Sequence, residues 1–371
     1  MTTYQKVSRL EEYNKEFNQG KSILEISLKN ISKNYRILLD LSMPSEIGAV
    51  VKANAYGCGI EHVGKLLSNI GCEFFFVAKL EEGIELRKHI SYSKKIAVFD
   101  GYLEPNHSLW KEYNLIPVCN TVDQAIEASK NNIIFMLHID TGMNRLGLSI
   151  TEANDLLVDK SKLNYKNLIL ILSHFACSDN KLSKLNSIQI REFKKFNDYF
   201  PKIKRSISNS HGIFLGNESK FDLTRPGIAL YGYTNNEDYN LSPAVSLYSP
   251  ILQIRHPNIG ETVGYDASYK ITKKSVIGTL GIGYADGLKR CINSRNLLRI
   301  GKYKVPILGR VSMDTIVVDL SEIPSEIINN LNHIPIIDSN YTLKEMAKDC
   351  STIPYEIMTS FSSRIKRVYT L

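Results

Sequence analysis

Residues 45–80 read SEIGAVVKANAYGCGIEHVGKLLSNIGCEFFFVAKL, and this stretch contains one complete strand–helix–strand unit. Ile47–Val51 is a short apolar run that predicts a buried strand, and Phe74–Val77 is a second such run. Between them, Glu61–Ile70 has the apolar spacing of an amphipathic helix. Two buried strands joined by a helix are typical of parallel strands with a right-handed crossover.

The same alternation of apolar runs and helical patterns extends in both directions from this unit. Further strands are predicted at Ile23–Leu28, Lys95–Phe99, Ile116–Cys119, Ile133–Ile139, Leu168–Leu172 and Ile203–Ile207. Further helices are predicted at Asn30–Leu41, Leu80–His89, Val122–Lys130, Thr151–Lys160 and Ile188–Tyr199. About eight such repeats predict an α/β fold that closes into a (β/α)8 TIM-type barrel. An open doubly wound sheet is the alternative, but no GxGxxG motif opens a helix after the first strand.

The pattern changes near the polar run NNEDYN at residues 235–240. Strand-like segments with few helices between them follow this run, at Val245–Arg255, Ser275–Gly283, Leu297–Ile300, Val305–Leu308 and Thr315–Leu320. Such a pattern is typical of a mostly-β domain. We therefore predict an N-terminal extension over residues 1–21, a barrel over residues 22–236 and a mostly-β C-terminal domain over residues 237–371.

Composition excludes several classes of protein. The chain has 371 residues, of which 43% are hydrophobic and 23% charged, as expected of a globular protein. It contains no apolar run of about 18 residues and no apolar core of a signal peptide near its start, so we expect a cytoplasmic protein without a membrane segment. The net charge of +8 comes from scattered lysines and not from one basic block. This distribution favours small anionic ligands over nucleic acid.

The six cysteines are dispersed and form no CxxC pair. This spacing excludes a zinc ribbon or a CxxC redox motif. We expect free thiols and no metal site.

Polar residues with reactive groups follow several of the predicted strands. Lys52 follows an apolar strand whose side chains would desolvate its amine, which lowers a lysine pKa and suits Schiff-base chemistry. An ordinary lysine at the barrel rim is the alternative interpretation. Arg145, in HIDTGMNR, suits either a substrate carboxylate or a structural salt bridge. His174 also ends an apolar strand, where it is either catalytic or a satisfied core residue.

Two later clusters indicate a phosphate site. Residues 208–212, SNSHG, offer small donors that include Asn209 and Ser210, and Arg225 precedes backbone N–H groups near a Pro–Gly turn. The late strands of TIM-type barrels commonly bind phosphate in this way. A phosphate-bearing cofactor beside a reactive lysine suggests pyridoxal phosphate.

Nine motifs, through both predicted domains, resemble those of bacterial alanine racemases and occur in the same order over about residues 20–371. They are AVVKANAYGCG, HIDTGMNRLGL, SHFACSD, SNSHG, RPGIALYG, VGYDASY, GIGYADG, GRVSMD and PYEIMTS. The resemblance implies a barrel that carries pyridoxal phosphate, a β-rich second domain and a head-to-tail homodimer with shared active sites. It also implies interconversion of L- and D-alanine, which supplies D-alanine for cell-wall peptidoglycan.

The resemblance assigns roles to individual residues. Lys52 and Tyr265 match the two catalytic bases, with Tyr265 delivered from the partner subunit. The residues that match cofactor-binding positions are Lys52, Tyr56, His174, Asn209, Ser210, Arg225, Gly227, Ile228 and Tyr355. Among these, Arg225 faces the pyridine nitrogen and His174 lies beside the ring and bonds to Arg225. The residues that match substrate-binding positions are Arg145 for the carboxylate, Met313 and Asp314 from the partner, and Tyr284 in the channel to the site.

Two positions depart from the pattern of the family. His138 stands where many members have a lysine that becomes carbamylated and steers the arginine at position 145. Histidine cannot form the same stable carbamate, so we expect His138 itself, a bound anion or Asn144 to orient Arg145. Ser312 stands where cysteine is common.

Three other functions remain compatible with parts of this pattern. One is a racemase for serine or for a broader set of amino acids. Another is a PLP-dependent decarboxylase of the same architecture, which Arg225 disfavours because strong electron-sink enzymes generally have an acid there. The third is a non-catalytic PLP-homeostasis protein, which would resemble the barrel alone.

Overall fold

The structure is a computed structural model that describes residues 20–103, 107–159, 161–197, 202–235, 239–292 and 297–371. Most of the predicted N-terminal extension, the predicted boundary at residues 236 and 237, and the last residues of two predicted helices lie outside these ranges. The chain forms two compact units. One unit is Leu28–Ala244, and the other is Val245–Leu371 together with the segment that ends at Ser27. This segment contains the first strand, β1 (Ile23–Ser27).

The unit Leu28–Ala244 is a nearly closed barrel of eight parallel strands, which confirms the predicted fold class. Its strands are β2 (Glu46–Val50), β3 (Phe74–Val77), β4 (Lys95–Val98), β5 (Leu115–Cys119), β6 (Phe135–His138), β7 (Leu168–Leu172), β8 (Lys204–Ser206) and β9 (Leu223–Thr224). The sheet order is β8-β7-β6-β5-β4-β3-β2-β9. Its helices are α1 (Leu28–Ser42), α2 (Ile60–Asn69), α3 (Leu80–Arg87), α4 (His107–Glu112), α5 (Val122–Lys130), α6 (Ile150–Val158) and α7 (Lys184–Lys194).

The barrel strands are apolar on both faces, and both faces of the sheet are buried. Every residue of β3 and of β5 is buried. Continuous apolar strands of this kind are the mark of a parallel sheet covered by helices. Several helices begin at a polar cap; for example, the Thr121 side chain accepts a hydrogen bond from the Gln124 N–H at the start of α5.

One predicted barrel strand is wrong. The segment at Ile23 was expected to open the barrel, but β1 belongs to the other unit, and the eighth barrel strand is the two-residue β9. Two residues are too short to give an apolar run. The side chains of Glu25 and Ser27 in β1 are only partly buried, and such a strand fits a sheet with one wetter face better than a barrel wall.

After β1, the strands of the second unit are β10 (Val245–Arg255), β11 (Thr262–Val263), β12 (Tyr269–Lys270), β13 (Ile277–Leu280), β14 (Leu297–Ile300), β15 (Tyr303–Leu308), β16 (Ile316–Asp319), β17 (His333–Ile337) and β18 (Lys366–Thr370). An eight-stranded, mostly antiparallel sheet has the order β14-β15-β16-β13-β10-β1-β18, in which β17 also pairs with β10, and β11 and β12 form a separate small hairpin. The helices of this unit are α8 (Ser325–Ile328), α9 (Leu343–Asp349) and α10 (Pro354–Ser360). The predicted mostly-β domain is confirmed. Every helix in the described ranges is too short or too polar to span a bilayer.

Candidate active site

Candidate functional side chains in the barrel unit lie at or just after the carboxyl ends of its strands. Lys52 comes after β2, His138 ends β6, His174 comes after β7, and Arg225 comes directly after β9. The carboxyl ends of parallel barrel strands meet at one mouth, so these groups converge there. Burial lowers the pKa of His174, and the charges of Arg225 and then Arg145 lower it further, so both arginines lie near this histidine.

Lys52 opens a left-handed turn. The next three residues have φ of 53°, 53° and 54°, a conformation that costs about 1–2 kcal/mol per non-glycine residue. Two side chains hold the turn: Glu82 Oε1 accepts the Ala53 N–H at 2.6 Å, and Asn54 Oδ1 accepts the Ile60 N–H at 2.8 Å. The strained turn therefore fixes where the lysine and the tyrosine four residues later leave the backbone.

The environment of Lys52 favours a neutral amine. Burial lowers its pKa, and the charge of Arg145 lowers it further, while Glu82 and Asp100 act in the opposite direction. The ammonium nitrogen lies 5.9 Å from the centre of the Phe99 ring. The expected desolvation of Lys52 is thus present in the structure.

Arg225 is almost fully buried, and two of its three nitrogens are hydrogen-bonded. Nη1 donates to Ser206 Oγ, and Nη2 donates to the Ser173 carbonyl at 2.6 Å. Nε is buried and has no hydrogen-bond partner in the structure. Burial lowers the pKa of Arg225 to about 9, so the guanidinium remains protonated at neutral pH. A buried donor without an acceptor is costly, and this one marks the place where a ligand acceptor fits.

The predicted hydrogen bond between His174 and Arg225 is wrong. The Nη groups of Arg225 donate to Ser206 and Ser173, whereas His174 Nε2 lies 3.5 Å from Asn209 Nδ2. The two residues interact through charge. Burial lowers the pKa of His174 well below its usual value, and Arg225 adds to that shift, so His174 is neutral.

A cradle of backbone donors lies beside Ser210. Its Oγ accepts the Gly227 N–H at 2.8 Å and the Ala229 N–H at 3.2 Å. A side-chain carbon at Gly227 would lie 2.2 Å from Tyr56 Oη, so this position requires glycine. A serine hydroxyl, a phenol and two backbone N–H groups therefore lie close together, and these are the kinds of donor found in protein sites for phosphate.

The loop that carries Arg145 is fixed at its base. Asp140 accepts hydrogen bonds from the backbone N–H groups of Gly142, Met143 and Asn144, at 2.8, 2.7 and 2.6 Å. The loop then closes through the Leu148 N–H, which donates to the His138 carbonyl at 2.8 Å. Arg145 itself is exposed. Its guanidinium is therefore solvated, although the base of its loop is fixed by hydrogen bonds.

His138 is neutral and has a defined tautomer. Its Nδ1 lies 2.8 Å from Asn120 Oδ1, and Asn120 Nδ2 donates to the Phe99 carbonyl at 2.8 Å. Since the amide nitrogen is used in that way, Asn120 Oδ1 is an acceptor and His138 Nδ1 carries the proton. Burial, followed by the charge of Arg225, lowers the pKa of His138 to about 4. Its Nε2 is therefore an acceptor.

Of the five site residues predicted in the second unit, Tyr355 is partly buried and the other four are exposed. Tyr265, in the turn between β11 and β12, is 72% exposed, Met313 is 53% exposed and Tyr284 is 44% exposed. Asp314 pairs with Arg364 at 2.8 Å. Tyr355 is the second residue of α10.

Short contacts set the turns that carry these exposed side chains. Asp266 pairs with Arg310 at 2.8 Å directly after Tyr265. Ser312, at the position that departs from the family pattern, donates from Oγ to the Thr315 carbonyl at 2.6 Å. This bond fixes the turn that contains Met313 and Asp314. The exposed side chains are therefore carried on turns whose backbone is fixed by neighbouring contacts.

Sequence reasoning missed the residues that hold the charged groups in place. These are Asn120 behind His138, Ser173 and Ser206 behind Arg225, and Glu82 beside Lys52. Asn120 and Ser173 directly follow strands, so a search of every strand end for polar residues would have found them. In the described ranges, no group of three His, Cys, Asp or Glu side chains is placed to hold a metal ion.

Comparisons with known proteins cover nearly the whole chain. The family model of the alanine racemase N-terminal domain matches residues 26–235, and that of the C-terminal domain matches residues 244–369. The alanine racemase of Rickettsia canadensis is 39% identical over 354 residues, which are 94% of this chain and 98% of the relative. The crystal structure of alanine racemase from Bartonella henselae with covalently bound pyridoxal phosphate is 34% identical, with a TM-score of 0.86, covering 94% of this chain and 99% of that chain. The biosynthetic alanine racemase of Pseudomonas aeruginosa is 29% identical, with a TM-score of 0.84, covering 95% and 99%.

Proposed function

This chain belongs to the alanine racemase family and interconverts L- and D-alanine, and we propose that it does so with pyridoxal phosphate at the barrel mouth and with Lys52 and Tyr265 as its two bases. The observation that carries the cofactor assignment is the buried Nε of Arg225, which lacks an acceptor. A pyridine nitrogen supplies one acceptor and needs one donor. Because arginine holds its proton, it leaves that ring nitrogen unprotonated.

The other end of the cofactor fits the cradle beside Ser210. We assign its phosphate to Ser210, to Tyr56 and to the backbone at Gly227 and Ile228. Two further cofactor contacts are Asn209 and His174, which are neighbours in the barrel unit. Tyr355 is assigned to the phosphate on the family pattern. These residues supply several donors and no carboxylate, which suits a dianion.

Racemisation requires a proton to leave Cα and to return on either face. When bound, pyridoxal phosphate supplies the electron sink that delocalises the charge left on Cα. The lowered pKa of Lys52 leaves its amine neutral more often, so Nζ is able to take the proton from one face. The hydroxyl of Tyr265 gives or takes the proton on the other face. A single base could not serve both faces without turning the substrate.

The substrate carboxylate is assigned to Arg145, whose planar guanidinium offers a bidentate pair of donors. We propose that the neutral His138 orients it by accepting a hydrogen bond at Nε2. The support for this is the pair of hydrogen bonds through Asn120 that places the His138 proton on Nδ1. A bound anion between the two residues would instead favour a protonated histidine, whereas burial and Arg225 lower its pKa to about 4.

We propose that the enzyme is a homodimer in which each active site is shared. The support is the exposure of Tyr265, Met313 and Tyr284, which are large side chains on ordered turns. Large exposed side chains that are rimmed by charges are common at interfaces. In this arrangement Tyr265, Met313 and Asp314 of one subunit complete the barrel site of the other, and Tyr284 lines the channel to it. We further propose that the enzyme is cytoplasmic and supplies D-alanine for peptidoglycan.

Chiral chromatography of L-alanine incubated with the protein and pyridoxal phosphate tests the activity. Enantiomers have equal free energies, so the expected product is an equal mixture of L- and D-alanine that forms only when the cofactor is present. Parallel incubations with L-serine measure the breadth of the pocket. Failure to form D-alanine, or release of the decarboxylated amine, would contradict the proposal.

A further inference from the structure

Two cysteines that are far apart in the sequence meet in the second unit. Cys350 follows α9 directly, and Cys291 lies in the loop after the Tyr284–Asp286 turn. The Cys350 thiol is within hydrogen-bonding reach of the Cys291 thiol. Cys291 is exposed, Cys350 is partly buried, and neither is in a disulfide. A solvent-accessible pair of thiols in contact is able to form a disulfide.

Neighbouring contacts hold the loop and the helices together. Lys289 Nζ lies 2.9 Å from Glu356 Oε1 on α10, and the other oxygen of Glu356 accepts from Thr352, just after Cys350. Ser360 Oγ also donates to the Gly287 carbonyl at 3.0 Å. The apolar residues on either side of the cysteine, Leu288 and Ile292, are buried. The approach of the two thiols is therefore part of the packing of this unit.

We propose that Cys291 and Cys350 form a disulfide site that reacts with low-molecular-weight disulfides such as oxidised glutathione. The thiolate of Cys291 attacks one sulfur of oxidised glutathione, forms a mixed disulfide and releases one glutathione thiolate. The thiolate of Cys350 then attacks the Cys291 sulfur, forms the Cys291–Cys350 bond and releases the second glutathione. Both protein thiols are oxidised, one glutathione disulfide is reduced to two thiols, and the two protons pass to solvent and product.

Exposure and charge divide the roles of the two thiols. The exposed Cys291 is the one that a bulky disulfide reaches first. Burial, the neighbouring Cys291 and Asp349 raise the pKa of Cys350 to about 12, while Lys289 acts in the opposite direction. Because only the thiolate attacks, the closing step accelerates as the pH rises.

The bond would tie the loop of Tyr284 to the turn that precedes α10, the helix of Tyr355. It would close a large loop of the unfolded chain, so the oxidised protein should melt at a higher temperature than the reduced protein. The pairing depends only on the packing of this unit. It would therefore stand even if the assignments under the proposed function failed.

Peptide mapping of the full chain after oxidation tests the site. The reduced protein is incubated with oxidised glutathione, blocked with an alkylating agent, digested and analysed by mass spectrometry. We expect a Cys291–Cys350 cross-link, an intact mass lower by about 2 Da, and complete reversal by dithiothreitol. Cys350→Ser should stop at the mixed disulfide and retain glutathione on Cys291. Cys177→Ser, which changes a half-buried thiol of the barrel unit, should form the cross-link as the natural chain does.

Three results would overturn the proposal. They are glutathione that persists on Cys291 in the unsubstituted chain, a cross-link of Cys291 to a different cysteine, and no reaction of either thiol. Each is read from the unsubstituted protein, so a poorly folded variant would not affect the conclusion.

Discussion

The barrel unit and the β-rich unit present their functional residues in opposite ways. In the barrel unit, Arg225 and His138 are buried and held by hydrogen bonds, and their pKa values are shifted by that burial. In the β-rich unit, Tyr265 and Met313 are exposed on turns fixed by neighbouring contacts. The difference indicates that the charged groups of the barrel unit are organised in advance, whereas the exposed side chains of the β-rich unit have no such support.

The largest effect is expected on the organised half. Lys52→Ala would remove the proposed covalent attachment point and one of the two proposed bases, so turnover should fall by at least about 1,000-fold. Absorbance spectroscopy should show loss of the visible band of the bound cofactor, and borohydride should label no peptide. Lys65→Ala on α2, which breaks only an exposed pair with Glu61, should behave as the unsubstituted enzyme. A borohydride label that persists in Lys52→Ala would place the anchor elsewhere.

In the β-rich unit, substitution of Tyr265 should impair proton transfer on one face of the substrate more than on the other. Tyr265→Phe keeps the ring and removes the hydroxyl, so racemisation should fall by about 100-fold or more. Exchange of the α-hydrogen with deuterium, followed by NMR, should be lost for L-alanine and partly retained for D-alanine. Tyr269→Phe in the same hairpin is the matched control. An equal loss of exchange for the two enantiomers would argue against two bases on opposite faces.

A smaller effect is expected where a buried residue supports an exposed one. His138→Ala should loosen Arg145 and raise the KM for alanine by about tenfold, since a charge-assisted hydrogen bond contributes about 1–3 kcal/mol. The KM of the unsubstituted enzyme should not respond to chloride or bicarbonate, because no anion is needed between the two residues. An unchanged KM in His138→Ala would show that the histidine does not orient Arg145 and is only a buried residue at a strand end. A chloride-dependent KM would favour the bound anion.

The smallest effect concerns stability in acid. A histidine titrates near 6.5 in the unfolded chain, whereas the pKa of folded His138 is about 4. Between these values the unfolded state binds more protons, so the unfolding free energy should fall as the pH falls, by about 2 kcal/mol between pH 6.5 and pH 5. His138→Gln should lose less stability over this range. Chemical denaturation of the unsubstituted protein and of His138→Gln at both pH values measures the difference. The same loss of unfolding free energy in the two proteins would contradict a buried neutral histidine.

Sequence reasoning identified the barrel because short, wholly apolar strands that alternate with amphipathic helices leave a strong repeating signal. It misplaced β1 because strand propensity does not reveal which sheet a strand joins, and it missed β9 because two residues carry no period. It found Lys52 from its place at a strand end, and Arg225 from the Pro–Gly turn that follows it. It did not find their hydrogen-bond partners, because a contact such as that of Arg225 with Ser206 depends on the tertiary packing.

The cysteines illustrate the same limit. Their spacing excluded a local redox motif, and that exclusion holds for CxxC pairs. The proximity of Cys291 and Cys350 follows from the fold and leaves no local pattern. Likewise, the tautomer of His138 is set by Asn120 and Phe99, which belong to two other strand ends.

Subunit mixing tests the shared site most directly. Lys52→Ala and Tyr265→Phe proteins, each inactive alone, are mixed and allowed to exchange subunits, which is followed by native mass spectrometry with one protein isotopically labelled. In a mixed dimer one site would have both defects and the other would have neither. Random exchange should therefore restore about a quarter of the unsubstituted activity. Confirmed exchange without recovery would mean that each site is built within one chain, and the account of two unlike halves joined across subunits would be wrong.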